Sequence, residues 1–214
     1  MPRSLSITSL LFCLLIASST YAGDSTRIAV KSGAQLYIDY GKLLTIAADF
    51  ETKYEFGAGY QFKNRFQPNL KIGIATLEPT SAIENGTYKS EGQYWKAGLN
   101  YMIPFDAVNS FYLGAYYGQS KFEDEGTYEV ISDLWPKFSG SFERKDLEAT
   151  WYEVVVGSEK SMLKGHVKLG GVFGVRIIQS RTKFDFIDVY AIPGYGRTLD
   201  KTAPFANVYI KFQL

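Results

Sequence analysis

Phe205-Ala206-Asn207-Val208-Tyr209-Ile210-Lys211-Phe212-Gln213-Leu214 alternates strictly from Ala206 onward. Ala206, Val208, Ile210, Phe212 and Leu214 share one side of an extended strand, and Asn207, Tyr209, Lys211 and Gln213 share the other, because side chains in a strand alternate with period two. Terminal segments fray unless something ties them down, so an apolar-faced strand here needs a partner to close against. Closure of a sheet into a barrel supplies one.

The same period recurs upstream. Thr52 to Lys63 puts Tyr54, Phe56, Ala58, Tyr60 and Phe62 on one face and Lys53, Glu55, Gly57, Gly59, Gln61 and Lys63 on the other. Strands are also expected at 35–40, 70–76, 93–103, 110–120, 150–159 and 166–178. With the closing strand that makes eight. In the strand at 110–120 both faces are apolar or aromatic, and Gly114 and Gly118 mark the inner side. Turns after the second, fourth and sixth strands are tight, whereas loops at 79–92, 121–147 and 179–204 are long. This asymmetry is that of outer-membrane barrels, with short periplasmic turns and longer external loops. The expected fold is all-β: an eight-stranded antiparallel transmembrane β-barrel of up-and-down topology.

Such a barrel has an interior just wide enough for side chains to fill. The polar faces would therefore enclose Glu55, Lys71, Lys96, Glu153, Lys168, Arg176 and Lys211 together. Buried unpaired charges cost several kcal/mol each, so these groups are expected to pair across the lumen. A plugged barrel follows, with an ion or proton path or a small-solute channel as the alternative.

The N-terminus points to export. Arg3 is followed by an apolar run from Leu5 to Ile16 and by small residues ending at Ala22, which reads as a signal peptide over residues 1–22. Residues 23–214 form the expected barrel domain. The apolar run is shorter than the ~20 residues of a spanning helix. Cys13 is the one cysteine and falls in this segment, so the exported part has no disulfide and no cysteine metal site. The 23 basic and 22 acidic residues become 22 of each when Arg3 is lost, which suggests no nucleic-acid partner.

Chemistry-bearing motifs are sparse, and no cofactor is expected. His166 is the one histidine, placed beside a tight turn, with Ser158 and Ser161 nearby but at no spacing that defines a triad. Glu123-Asp124-Glu125 and the pair Asp185 and Asp188 lack the ligand spacing of a calcium loop and read as solvated loop faces. Gly194 and Gly196 read as turn residues.

The closing strand resembles the C-terminal signal of bacterial outer-membrane barrels, although that signal usually ends on an aromatic residue and this chain ends on Leu214. Gly33-Ala34-Gln35-Leu36-Tyr37-Ile38-Asp39-Tyr40-Gly41-Lys42-Leu43-Leu44, Phe56-Gly57-Ala58-Gly59-Tyr60 and Tyr190-Ala191-Ile192-Pro193-Gly194-Tyr195-Gly196 resemble an uncharacterised family of small outer-membrane barrels from the Bacteroidota. The chain is also broadly similar to OmpA-like and OmpX-like barrels. The resemblance implies fold and an outer-membrane location, not an activity.

The expected role is that of a non-enzymatic structural or partner-binding barrel. Its partners would be outer-membrane lipids, the barrel assembly machinery during insertion, and an unidentified protein. The expected contact surface is built from loop aromatics: Phe122, Tyr128, Trp135, Phe138 and Phe142 in one loop, and Phe184, Phe186, Tyr190 and Tyr195 in the other. Packing of these loops on each other is the bland alternative. A lipid-modifying enzyme, a channel and a lipocalin-like carrier are the further possibilities.

Overall fold

The computed structural model describes residues 32–39, 51–63, 65–131, 134 and 136–214. The expected signal peptide, residues 40–50 between the first two strands, and Trp135 lie outside these residues. The elements are β1 (Gly33–Asp39), β2 (Glu51–Gln61), β3 (Phe66–Leu77), β4 (Gly86–Pro104), β5 (Asn109–Val130), β6 (Phe138–Met162), β7 (Val167–Arg181), β8 (Ala191–Ile192), β9 (Gly196–Arg197) and β10 (Thr202–Gln213). β1 to β7 and β10 close into one antiparallel ring in the order β1-β10-β7-β6-β5-β4-β3-β2. The alternating segment that ends the chain makes the seam: Leu36 faces Phe212 and Ile38 faces Ile210.

The outer wall is an apolar belt edged by aromatic rings. Along its upper edge Trp95, Tyr117 and Tyr152 stand side by side, with ring centroids 5.7 Å and 5.6 Å apart. Along its lower edge Phe66 meets Tyr101 at 5.6 Å and Phe105 meets Phe111 at 5.9 Å. Between them Phe56, Ile72, Leu99, Leu113, Val154 and Phe173 are all exposed. From Tyr54 to Phe62 the belt takes nine residues of chain, which matches the ~9–11 residues of a membrane-crossing strand.

Three tight turns lie at the lower end. Lys63 takes a positive φ of 46° after β2. After β4, the Asp106 carboxylate accepts the Val108 and Asn109 N–H groups at 2.7 Å and 2.6 Å, which pins the turn. A single 3-10 turn, Leu163–Gly165, joins β6 to β7.

At the upper end the strands run much further than their apolar alternation suggests. β5 and β6 are 22 and 25 residues long, so the expected loop at 121–147 shrinks to 131–137. The expected loop at 79–92 likewise shrinks to 78–85, because β4 already starts at Gly86. In β5 the period of two continues through this region while its polarity inverts, and in β6 a bulge at Lys145 and Asp146 shifts the alternation by one residue. Lys121, Glu123, Glu125 and Thr127 now face out into water, and Phe122, Asp124 and Gly126 face in. A strand that leaves lipid keeps its geometry but loses its reason for an apolar outer face. β4, β5 and β6 thus continue above the belt as a three-stranded blade.

Glycines on the inner face make room for rings from neighbouring strands. A Cβ on Gly157 would lie 2.1 Å from Tyr112 Cζ, whereas one on Gly171 would meet nothing closer than 3.9 Å. Gly157→Ala should therefore destabilise the barrel by about 1–3 kcal/mol, the usual cost of overpacking. Gly171→Ala should be close to neutral in the same urea titration. Equal effects at both positions would mean that Tyr112 does not occupy the space opposite Gly157.

Candidate functional site

The lumen is filled in layers. In the lowest, Gln67 Nε2 donates to Gln35 Oε1, and Gln35 Nε2 donates to Gln213 Oε1 at 2.6 Å, so three amides cross the mouth. Just above, Glu159 is buried and accepts a hydrogen bond from Lys211, while Lys168 Nζ lies 3.7 Å from its second oxygen. The Tyr209 hydroxyl sits 2.9 Å from both Glu159 Oε1 and the Tyr112 hydroxyl.

A layer of rings separates this group from the next. Lys71 Nζ lies 4.1 Å from the Tyr37 ring centroid and 5.0 Å from that of Tyr116, so two aromatic faces help to hold its charge. Tyr116 donates to Asn100 Oδ1 at 2.8 Å. Glu55 organises the layer above. Lys96 approaches it at 2.8 Å, Lys53 at 3.6 Å and Lys71 at 3.8 Å, and the Tyr94 hydroxyl donates to it at 2.8 Å. Lys53 also pairs with Asp39 at 2.9 Å. Lys96 reaches Glu153 at 3.6 Å, which Arg176 meets at 3.2 Å and the Trp151 indole at 2.9 Å.

Of the charged residues named from the sequence, Glu55, Lys96, Glu153, Lys168 and Lys211 are buried and Lys71 and Arg176 half-buried, and they form two groups: Glu159 with Lys168 and Lys211, and Glu55 and Glu153 with Lys71, Lys96 and Arg176. Asp39, Lys53 and Glu159 belong to the lumen as well. Glu159 shares parity with Glu153, so extending the alternation by six residues finds it.

The top of the lumen is closed by the chain between β7 and β10. This segment folds back into the mouth, and its hairpin, β8–β9, pairs Ala191 with Arg197 and Ile192 with Gly196. Val189, Ile192 and Tyr195 are buried against Tyr94, Trp151, Leu147 and Phe122, and Ala191 against Leu77 and Tyr88. Arg176 Nη1 donates to the Tyr195 carbonyl at 2.6 Å, which ties the hairpin to the charge layer beneath it. Gly194 has a φ of +81°, and a Cβ there would lie 2.4 Å from the Tyr94 ring. A glycine is needed at that turn both for its backbone and for the ring below it.

In the blade, Arg144 makes a two-pronged contact with Asp124 and donates to the Ile187 carbonyl at 2.6 Å. Tyr88 donates to Asp124 Oδ2 at 3.0 Å, and burial together with that carboxylate pushes the phenol up from its ordinary value. It therefore stays a donor. Arg181 grips Asp188 at 2.6 Å; burial alone would raise this carboxyl, but the hydrogen bonds from Arg181, Val189 and Phe184 hold it below its ordinary value.

The expected contact aromatics divide. Phe122 and Tyr195 are buried in the lumen and cannot meet a partner, because β5 carries Phe122 inward and the hairpin inserts Tyr195. Tyr190 and Phe184 are half-buried against the same packing, as is Phe142. Phe138 and Phe186 remain exposed and flank Tyr128, at centroid distances of 6.1 Å and 5.6 Å. With Ile131 and Leu134, which is 87% exposed, they form an apolar cap at the blade tip. His166 is exposed at the lower rim, where its carbonyl accepts the Gln213 N–H at 2.8 Å. Among the described residues no set of three or more His, Asp or Glu side chains is placed to hold a metal ion.

A profile of a family described as a domain of unknown function matches residues 3–212. Solved structures with a similar fold include the N-terminal β-barrel domain of OprF from Pseudomonas aeruginosa (11% identity, TM-score 0.46, covering 86% of this chain and 100% of that one). Ail of Yersinia pestis, solved in complex with the heparin analogue sucrose octasulfate, aligns at 8% identity and a TM-score of 0.43, over 86% of this chain and 99% of that one. Neisserial surface protein A gives 9% and 0.44, over 86% and 96%. No curated protein matches.

The enclosed carboxylates are the test of this architecture. Glu159→Leu leaves Lys168 and Lys211 buried without their counter-charge, and stability should fall by about 3–5 kcal/mol. Tyr209→Phe removes hydrogen bonds to the same carboxylate and to the Tyr112 hydroxyl but no charge, and should cost about 1–2 kcal/mol. Urea unfolding followed by tryptophan fluorescence measures both. Equal losses would show that Glu159 does not balance the two lysines.

Proposed function

Because the chain belongs to the family described as Domain of unknown function (DUF6048), we propose its role from its own geometry: a sealed, non-enzymatic barrel of the bacterial outer membrane that presents the blade as a contact platform. A Bacteroidota source is what the sequence resemblance implies. The observation that carries this reading is the lumen, which is occupied from the Gln35–Gln67–Gln213 mouth through two charge groups to the inserted β8–β9 hairpin. A filled interior leaves the outside to act. The outside that stands clear of the belt is the blade, with its exposed cap of Phe138, Phe186, Ile131 and Leu134.

Location is supported by the belt, whose exposed aliphatic residues lie between two aromatic edges as in membrane barrels. The expected signal peptide is consistent with export. Catalysis finds no support, since His166 stands at the lower rim and the buried carboxylates are each held by lysine or arginine.

Purified, refolded protein should give no steady conductance in a planar bilayer. A large, stable, ohmic step in every active preparation would overturn the sealed reading in favour of a channel. Val154→Lys, at mid-belt, should destabilise the protein in phosphatidylcholine vesicles by about 2–4 kcal/mol. Thr52→Lys, above the belt, should cost little. Equal tolerance would place the membrane elsewhere on the wall.

A further inference from the structure

The blade has one long open edge. β7 pairs with β6 only from Ala149 downward, so residues 138–148 of β6 are paired with β5 on one side alone. The segment between β7 and the hairpin reaches this edge at its foot, where the Thr182 N–H bonds the Glu148 carbonyl, and contacts it further up through the Arg144 side chain. Among the described residues no backbone hydrogen bond reaches the far edge of residues 138–146. Open edges pair with other strands unless they carry charges, prolines or bulges. Here those guards sit at the ends: Pro136 before the segment, and Lys145 with Asp146, at a positive φ of 55°, after it. The middle, Phe138-Ser139-Gly140-Ser141-Phe142, has none.

That middle reads the same in both directions, and so does its charge pattern. Antiparallel pairing of two copies about Gly140 places residue i opposite residue 280 − i. Phe138 then faces Phe142, Ser139 faces Ser141, and Lys137 faces Glu143, each on the same side of the sheet. A two-fold interface requires such self-complementarity. Among the described residues Lys137 and Glu143 are engaged by exposed ion pairs, with Glu129 at 2.5 Å and Lys145 at 2.7 Å, so little is lost in exchanging them.

We propose that the Lys137–Glu143 edge of β6 is a self-association site, at which a second copy of this chain adds its own β6 antiparallel to make a continuous six-stranded sheet. The orientation has a consequence for the membrane. A two-fold axis normal to the sheet inverts the second barrel, so the two copies face each other from apposed membranes rather than sharing one. Gly140 lies twelve residues above Tyr152 on β6. At about 3.3 Å per residue and a tilt near 40°, the contact stands roughly 30 Å above the belt. The inference rests on the reading of the blade as an external contact platform and names its partner.

The test uses the full chain with Cys13→Ser, refolded in detergent micelles, carrying either Ser139→Cys or Ser141→Cys. Directly opposed residues have Cα atoms about 4.5–5.5 Å apart, within disulfide reach. Mixing the two variants under mild oxidation should give mainly the mixed 139–141 disulfide. Predominance of 139–139 and 141–141 disulfides would mean parallel pairing, and random or absent cross-linking would mean no specific edge contact; either overturns the proposal. Glu143→Lys should weaken self-association roughly tenfold by setting like charges opposite each other, and adding Lys137→Glu should restore it. Failure of that rescue, with the barrel still folded, also counts against it. The disulfide pattern is read independently of conductance, so a conducting barrel would sink the sealed reading without deciding this one.

Discussion

A carboxylate enclosed by a protein wall must have its counter-charge in the same enclosure. Glu55, Glu153 and Glu159 are buried in a ring of eight strands whose interior is filled by side chains. Each is therefore met by lysine or arginine from another strand: Lys96 of β4 for Glu55 of β2, Arg176 of the adjacent β7 for Glu153 of β6, and Lys211 of β10 for Glu159 of β6. The first and last of these links each pass over one intervening strand, β3 and β7, while Arg176 lies directly opposite Glu153 in the pairing of β6 with β7. The inner glycines make room for this filling, since Gly73, Gly118 and Gly157 let Tyr94, Trp151 and Tyr112 lie flat against the neighbouring backbone.

The hairpin plug extends that logic to the upper mouth. Arg176 joins the two systems, with its Nε on Glu153 and its Nη1 on the Tyr195 carbonyl. The apolar tip Ile192-Pro193-Gly194-Tyr195 covers Tyr94 and Trp151, which would otherwise face water at the open end. The mouth is thus covered by buried apolar surface and the depth filled by paired charge. Two different forces act on one cavity because its polarity changes along its length.

Outside the wall the same strands present two kinds of surface. Below the edge at Trp95, Tyr117 and Tyr152 the outer face is aliphatic; above it the outer face carries Lys121, Glu123, Glu125 and Glu143. The blade is the barrel sheet continued past the apolar belt, with one bulge in β6 at Lys145 and Asp146 that shifts its alternation by one residue. What changes is the edge. Ring closure satisfies every strand within the belt, while β6 leaves its partner β7 at Ala149 and rises with one side open.

The sequence by itself determined the closed barrel, the strand count and the face on which Glu55, Lys71, Lys96, Glu153, Lys168, Arg176 and Lys211 lie. Period-two alternation is local, and an apolar outer face is written into each strand where lipid is the solvent. It did not reveal the blade, because above the belt the outer face turns polar and the alternation ceases to look like a membrane strand, so Phe122 and Phe142 read as loop residues. Nor did it reveal that Tyr190 to Gly196 enters the lumen. Insertion of that segment depends on a mouth shaped by Tyr94, Trp151, Phe122 and Arg176, which come from β4, β6, β5 and β7 and meet only when the ring has closed. The grouping of the charges into two sets was likewise decided by register across strands, a property of pairs of strands that no single stretch of chain contains.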